Sequence, residues 1–155
     1  MSDQPARPTA EALARYAEEF NQSRSMRFLG VRISFPEGAK VRADLEVRPD
    51  HLGGLGTSAV NGGVLAALFD LVIGCTPALI DPTRRSATVQ LSMSFMKPVT
   101  GSRIHAEAVI DSRGSSMLFS RATIYDAEGR PCAKCDGLVR MSSLKWESGT
   151  SPAVN

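Results

Sequence analysis

Residues 52–80 read LGGLGTSAVNGGVLAALFDLVIGCTPALI, and this stretch decides the fold. From Asn61 onward it consists mainly of alanine, leucine and glycine, with few β-branched residues. Its one acid or base of consequence is Asp70, and Cys75 is its only other titratable group. A helix that is apolar almost all round is a buried helix. The sequence therefore predicts a buried central helix that opens at Asn61.

Outside this stretch the sequence predicts one amphipathic helix and six strands. Leu13, Tyr16 and Phe20 recur at helical spacing, and Thr9 stands before them as a suitable N-cap. From Met26 onward the period changes to two, which is typical of strands with one solvated face. The predicted strands cover residues 31–35, 41–48, 89–95, 104–110, 118–125 and 131–141.

This order of elements predicts an α+β architecture, in which an antiparallel sheet curls around a long central helix that an N-terminal helix precedes. A run of antiparallel strands has two faces, and one helix covers only one of them. The sheet must therefore wrap around the helix, and its remaining apolar surface is expected to meet another subunit. We expect a flexible N-terminus over residues 1–8, a single domain over 9–141 and a flexible polar tail over 142–155.

Composition excludes several classes of protein. A chain of 155 residues and 16.6 kDa suits one domain. Its 18 basic and 16 acidic residues are interspersed and aromatic residues are 6%, so no nucleic-acid partner is expected. Residues 1–16 lack the apolar core of a signal peptide, which favours the cytoplasm. The apolar run over 60–80 is nearly long enough to span a membrane, but Asp70 and Pro77 interrupt it, so no membrane is expected.

Asp70 is the strongest single chemical signal. A lone carboxylate in a buried helix is costly unless it is paired, hydrogen-bonded or protonated. One interpretation is a structural carboxylate that bonds backbone amides or an arginine from elsewhere, such as Arg84 or Arg85. The other is an acid or base in a dry pocket, because carboxylates with perturbed pKa values cluster in active sites.

The sequence Asn61-Gly62-Gly63 opens the predicted central helix. Asparagine is a favoured N-cap and glycines permit close packing, so a purely structural interpretation is available. Alternatively, Gly62 and Gly63 present free N–H groups at the positive end of the helix, where they suit an anion or a developing oxyanion. Asp70 follows Gly63 by two helical turns and falls roughly on the same face.

The cysteines and histidines give no metal or redox site. Cys132 and Cys135 have CxxC spacing within a predicted strand, where positions i and i+3 point to opposite faces. Three cysteines, an odd number, do not form a disulfide framework, which indicates a reducing compartment. His51 and His105 lie far apart without clustered ligands. We expect neither a metal nor a cofactor.

Two segments together resemble a known family. The first runs from His51 through Val60-Asn61-Gly62-Gly63-Val64 to Asp70, and the second is TVQLSMSFMKP at 88–98. Together they resemble the hotdog-fold acyl-CoA thioesterases of the phenylacetate-degradation, or PaaI-like, type. The likeness extends from about Phe28 to Met141. It rests on two glycines, an acid nine residues after the first motif position, a hydroxyl at Thr88 and the pair Lys97-Pro98, all in the family's order.

The resemblance implies a mechanism at the interface of a homodimer or homotetramer. Asp70 would activate water as a general base or attack the thioester itself. Gly62 would donate its N–H to the thioester carbonyl oxygen, with Asn61 and Gly63 beside it. Thr88 of the neighbouring subunit would help to hold the water. The coenzyme A arm would pass residues near two strand ends and one turn, namely Gln90, Phe95, Lys97, Ser112, Arg113, Gly114, Ser115, Ser116 and Met117.

Two departures from the family pattern bear on activity. The family's usual histidine is Asn61 here, and the loop after His51 is two residues longer. A non-catalytic protein that binds an acyl-CoA or another small ligand is therefore an alternative. A hotdog hydratase or dehydratase is a further one, although that chemistry usually needs a histidine paired with an acid, and none lies near Asp70 in sequence.

Overall fold

The computed structural model describes residues 6–149 as two N-terminal helices, a central helix and six strands. The helices are α1 (Ala10–Asn21), α2 (Arg24–Leu29) and α3 (Gly62–Gly74). The strands are β1 (Val31–Ser34), β2 (Val41–Glu46), β3 (Arg84–Phe95), β4 (Arg103–Arg113), β5 (Met117–Tyr125) and β6 (Pro131–Lys145).

All six strands form one antiparallel sheet in the order β1-β2-β4-β5-β6-β3. The sheet curls around α3, which contacts five of its six strands. Five side chains of α3 are buried against it: Leu65, Leu68, Phe69, Val72 and Ile73. The predicted architecture is thereby confirmed, including the cap at Thr9, whose hydroxyl accepts the Ala12 N–H at 3.2 Å.

The central helix is shorter than the apolar run suggests. α3 ends at Gly74, and a separate 3-10 turn covers Thr76–Leu79. By length and composition the window Gly62–Leu79 could cross a membrane, with a mean hydropathy of 1.8. Half of that window is buried within the protein, however, as expected for the core helix of a folded domain.

Three predicted boundaries are wrong, the first being the start of the third strand, since β3 begins at Arg84 and not at Val89. The alternation expected from Met26 begins only at Val31, because residues 24–29 form α2 between the Ser23 N-cap and the left-handed Gly30. The tail expected from Ser142 also begins later, because β6 continues to Lys145. The ring of Trp146 then packs edge-on against Tyr16, and its indole N–H donates to the Pro82 carbonyl at 2.6 Å. Residues 1–5 and 150–155 of the predicted termini lie outside the described residues.

A charged cluster covers the outer face of β2 and β4. The imidazole of His105 stacks on Tyr125 and lies 3.9 Å from the Glu107 carboxylate. Arg42 bonds to Asp44 at 2.9 Å and lies 3.5 Å from Glu107. Burial lowers the pKa of His105 below its ordinary value of 6.5; the Arg42 and Lys40 charges lower it further, and the carboxylates of Glu107 and Asp44 only partly oppose this.

This pKa shift predicts acid-dependent stability. The unfolded chain takes up a proton at His105 near pH 6.5, while the folded chain resists it, so the free energy of unfolding falls as the pH drops below 6.5. We expect His105→Phe, which keeps a ring on Tyr125, to reduce that fall. Urea denaturation of the wild-type protein and of the variant at pH 7.5 and 5.5 measures this fall in the free energy of unfolding. An equal fall in the two proteins would show that His105 is not its cause.

Candidate active site

The N-terminus of α3 is fixed by Asn61. Its side-chain Oδ1 accepts the Gly63 N–H at 2.7 Å, and its backbone carbonyl accepts the Leu65 N–H at 3.1 Å. Its own N–H donates to the His51 carbonyl at 2.8 Å. Because Oδ1 is turned toward the helix, the amide NH2 group of Asn61 points away from the Gly63 N–H. The predicted N-cap is confirmed.

The two glycines have different roles at this helix end. Within residues 6–149 no group accepts the Gly62 N–H, so this donor is available at the positive end of the helix. The Gly63 N–H is satisfied by Asn61, so the prediction of two free N–H groups is wrong for Gly63. A side chain at Gly63 would lie 2.9 Å from Asn61 Oδ1, whereas one at Gly62 would meet nothing within 4 Å. Only Gly63 is therefore required by the packing of the chain.

Asp70 is exposed in the single chain, contrary to the prediction of a buried carboxylate. It lies on the face of α3 that the sheet leaves uncovered, together with Gly63, Ala66 and Ala67. The alternative of an arginine partner is not supported, because no described residue forms an ion pair or hydrogen bond with Asp70. The sequence reveals the apolar character of α3, but not which face turns outward.

Thr88 lies beside the C-terminal end of α3 in its own chain. Its hydroxyl oxygen is 3.0 Å from the position that a Cβ on Gly74 would occupy. Ser86, two residues earlier on β3, donates its hydroxyl to the Gly74 carbonyl at 2.7 Å. The start of β3 is thus fastened to the last turn of α3, one turn beyond Asp70. The Gly74 side of Thr88 is occupied by its own chain.

Among residues 6–149, β3 is the last strand of the sheet and pairs only with β6. Its register places Leu91, Met93 and Phe95 opposite Gly137, Cys135 and Ala133, which are all buried, with Gly137 against Ile73 of α3. Phe95 nonetheless remains 49% exposed and Met93 36% exposed, because α3 does not reach over them. The uncovered face of α3 and this side of β3 therefore form one open, partly apolar surface next to Asp70.

The residues predicted to contact coenzyme A are not together in one chain. Gln90 lies opposite Leu138, on the other face of β3 from Phe95, after an irregularity between Thr88 and Gln90. The exposed turn at 112–117 lies beside the start of β3, since the Ser116 carbonyl accepts the Met141 N–H and Met141 pairs with Ser86. Phe95 and Lys97 lie at the other end of this strand, with Phe95 about 30 Å from Ser86 at ~3.3 Å per residue.

The histidines and cysteines are accounted for elsewhere. His51 is buried and hydrogen-bonded, and His105 lies on the outer face of the sheet, away from α3. Cys132 and Cys135 are free thiols that donate to different backbone carbonyls. Both are buried, contrary to the expected opposite faces, because the β5–β6 pairing skips Cys132. Among the described residues no group of histidine, cysteine and acidic side chains could hold a metal ion.

The far end of α3 is closed by α1. Tyr16 donates its hydroxyl to the Cys75 sulfur at 3.7 Å and stacks on Phe20. Burial, the nearby Cys75 and this hydrogen bond raise the pKa of Tyr16. Burial likewise raises the pKa of Cys75 to about 12, so its thiol is unreactive near neutral pH. A cavity of about 800 Å³ lies between α1 and β1, and neither Asp70 nor Gly62 lines it.

Comparison with known proteins identifies the family. The model of the thioesterase superfamily matches residues 57–133, which include the Asn61 cap, Asp70 and Thr88. No curated protein matches the chain by sequence. Several solved structures share its fold. One, a protein from Shewanella oneidensis related to the thioesterase superfamily, is 21% identical with a TM-score of 0.76 and covers 86% of this chain and 97% of its own.

Two further structures match at similar levels. The PaaI protein from the phenylacetic acid degradation operon of E. coli is 16% identical with a TM-score of 0.75, covering 89% of this chain and 99% of its own. A thioesterase from Haemophilus influenzae is 16% identical with a TM-score of 0.73, covering 84% and 90% respectively. At these identities the structures establish the fold, and the matched family model adds the superfamily. The chain is a member of the thioesterase superfamily with a PaaI-like hotdog fold.

Proposed function

We propose that the chain is an acyl-CoA thioesterase in which Asp70 and the N-terminus of α3 act on the thioester. The observation that carries this proposal is that one helix holds both an N–H donor and a carboxylate that lack a partner among the described residues. The Gly62 N–H has no acceptor among the described residues, and Asp70 has no partner there. A folded protein that leaves both groups open on one helix leaves them available to a ligand.

In the proposed reaction a water molecule attacks the acyl carbonyl carbon while the Asp70 carboxylate takes its proton. The carbonyl electrons move onto oxygen, where the Gly62 N–H and the positive end of α3 stabilise the negative charge. Asn61 adds its outward NH2 group beside this donor. The intermediate then collapses, the carbon–sulfur bond breaks, and the proton on Asp70 passes to the departing thiolate. The products are a carboxylic acid and free coenzyme A.

We propose that two copies complete this site by pairing their β3 strands. β3 is twelve residues long, ends the sheet and exposes Phe95 and Met93 beside α3. A long unpaired edge of this kind favours pairing with another chain. In a two-fold pair the strands run antiparallel, so the start of β3 in one copy lies beside the end of β3 in the other. Thr88 of the second copy then lies near Asp70 of the first.

The same pairing would reunite the proposed coenzyme A contacts. The 112–117 turn of one copy, with Arg113, comes toward Gln90, Phe95 and Lys97 of the other. Arg113 and Lys97 are both exposed and have no ion-pair partner among residues 6–149, so both are available to phosphates.

We expect sedimentation experiments to show a dimer or tetramer for the wild-type protein. Phe95→Asp should weaken this association, because it places a charge on the surface that pairs. A wild-type monomer would contradict the shared site.

A hydrolysis screen tests the activity. Purified protein is incubated with short, medium, long and aromatic acyl-CoAs, and thiol release is followed with Asp70→Ala as the matched control. Turnover that the control lacks is the expected result. If no ester is hydrolysed while coenzyme A esters still raise the melting temperature, the chain is a binding protein and Asn61 becomes the first candidate cause. The hydratase alternative gains no support from the described residues, because neither histidine forms a hydrogen bond or ion pair with Asp70.

Gly62→Ala is expected to separate catalysis from folding. A Cβ at this position meets no protein atom within 4 Å, so the free energy of unfolding should change by less than about 0.5 kcal/mol. The added methyl group crowds the space where a substrate carbonyl approaches the N–H, and kcat should fall by about tenfold or more. Chemical denaturation and steady-state kinetics check both parts. Unchanged kcat would remove Gly62 from the mechanism.

A further inference from the structure

His51 is buried at the junction of three segments, and all of its polar groups are engaged. It is 3% exposed. Its Nδ1 accepts the Arg48 backbone N–H at 2.9 Å, which requires the hydrogen of the neutral ring to be on Nε2. That Nε2–H donates to the Leu29 carbonyl at 2.8 Å, at the end of α2. The ring therefore links α2 to the turn that follows β2.

The backbone of His51 continues this link to the candidate active site. Its carbonyl accepts the Asn61 N–H at 2.8 Å, immediately before α3. Asn61 in turn caps Gly63 through its side chain and leaves the Gly62 N–H free. Nine residues separate His51 from Asn61, with left-handed residues at Gly54, Leu55 and Gly56 among them. Backbone hydrogen bonds from Gly53 to the Ala59 carbonyl and from Val60 to the Val99 carbonyl hold this loop up to Val60, and the Asn61 N–H has the His51 carbonyl as its own acceptor.

We propose that His51 is a positioning residue for the Gly62 oxyanion donor, which it acts on through Asn61. This inference rests on the proposed function for its catalytic consequence. Its structural consequence stands independently, because the orientation of the Asn61 backbone depends on an acceptor that the imidazole fixes. A displacement of about 1 Å at such a donor costs up to about 100-fold in rate. The sequence gives no spacing signal for this role, because the contacts of His51 span 22 residues to Leu29.

Asn21 offers a matched control. Its side-chain amide bonds both backbone groups of Ile33, donating to the carbonyl at 3.0 Å and accepting the N–H at 2.8 Å. Like His51, it is a single polar side chain that fastens an N-terminal helix to another part of the chain. It does so at the outer edge, on β1, with no contact to α3 or Asn61. Asn21→Ala therefore lowers stability without acting on the oxyanion donor.

The experiment compares His51→Gln, His51→Asn and Asn21→Ala by kinetics and by residue-specific amide exchange. We expect the His51 variants to lower kcat about tenfold or more while KM changes less than twofold, and to accelerate exchange at Asn61, Gly63 and Leu65 at least tenfold. Asn21→Ala should leave kcat and these exchange rates unchanged, even where it lowers the melting temperature as much as a His51 variant does. Equal effects of Asn21→Ala, or unchanged exchange in a folded His51 variant, would overturn the proposal.

Exchange in the unaltered protein gives a second test even if the His51 variants fail to fold. The Asn61 amide should be protected by the His51 carbonyl, while the neighbouring Gly62 amide exchanges rapidly. An Asn61 amide that exchanges as fast as Gly62 would overturn the proposal. If the wild-type protein hydrolyses no thioester, the proposed function fails. The exchange data then still report whether His51 holds the start of α3.

Discussion

Asp70→Asn is expected to lower kcat by about 10²–10⁴ while leaving the fold intact. The lower figures are typical of a lost general base and the upper ones of a base that also orients the water. Asp70 is exposed and has no ion pair or hydrogen bond among the described residues, so its replacement should change the free energy of unfolding by less than about 0.5 kcal/mol. Steady-state kinetics and urea denaturation of the same preparations measure the two quantities.

Asp50→Asn is the matched control for Asp70. It removes an exposed carboxylate from the turn just before the motif, and no described hydrogen bond or ion pair involves it. The control should retain wild-type kcat, because Asp50 lies outside α3 and its side chain forms no hydrogen bond or ion pair with a described residue. Full activity in Asp70→Asn toward every accepted thioester would exclude the proposed mechanism. Equal losses in both variants would point to a general effect of charge.

The two possible roles of Asp70 can be separated by isotope labelling. If Asp70 is a general base, a single turnover in ¹⁸O-labelled water places the label in the carboxylic acid alone. If Asp70 attacks the thioester, an anhydride forms between enzyme and acyl group, and its hydrolysis at the aspartyl carbon leaves the label in Asp70. Mass spectrometry of the peptide that contains Asp70 distinguishes the results. We expect the label in the product, because the carboxylate lies on an open surface that water reaches.

The sequence predicts the fold well because periodicity and capping are local. Alternation separates the strands, and Asn61 marks the start of α3 within one residue. α2 is missed although Ser23 and Gly30 provide its capping residues, because six residues are too few for an apolar period. Trp146 is missed as a packed residue because its partners, Tyr16 and Pro82, are distant in sequence.

The candidate site is predicted less completely, because its geometry depends on non-local packing. Asp70 and Gly62 are identified from residue type and spacing, but the exposure of Asp70 follows from which face of α3 the sheet covers. The proposed coenzyme A contacts lie at both ends of β3 in one chain, so only a second copy could join them. His51 gives no pattern at all. Its importance appears only when Leu29, Arg48 and Asn61 are seen around it.

Gly137→Val is expected to give the largest loss of stability. A Cβ at Gly137 would lie 2.5 Å from Cγ2 of Ile73, so β6 passes α3 at a distance that excludes any side chain. Gly137→Ala should cost about 1–3 kcal/mol by overpacking. The two further methyl groups of valine should raise that cost until it approaches the whole stability of a domain, about 5–15 kcal/mol. Urea denaturation of the alanine variant and expression of the valine variant as folded protein test this.

A double-mutant cycle identifies the cause of the loss. Ile73→Ala removes the atoms that a side chain at Gly137 would meet, although it leaves a cavity of its own. If the contact is responsible, Gly137→Ala should cost less in the Ile73→Ala background, with a coupling energy of about 1–3 kcal/mol. Strictly additive losses would show that glycine is needed for backbone conformation instead. Gly137 sets how closely the curved sheet approaches α3, so Gly137→Ala should also displace the helix that carries Asp70. We therefore expect kcat per folded molecule to fall together with the free energy of unfolding.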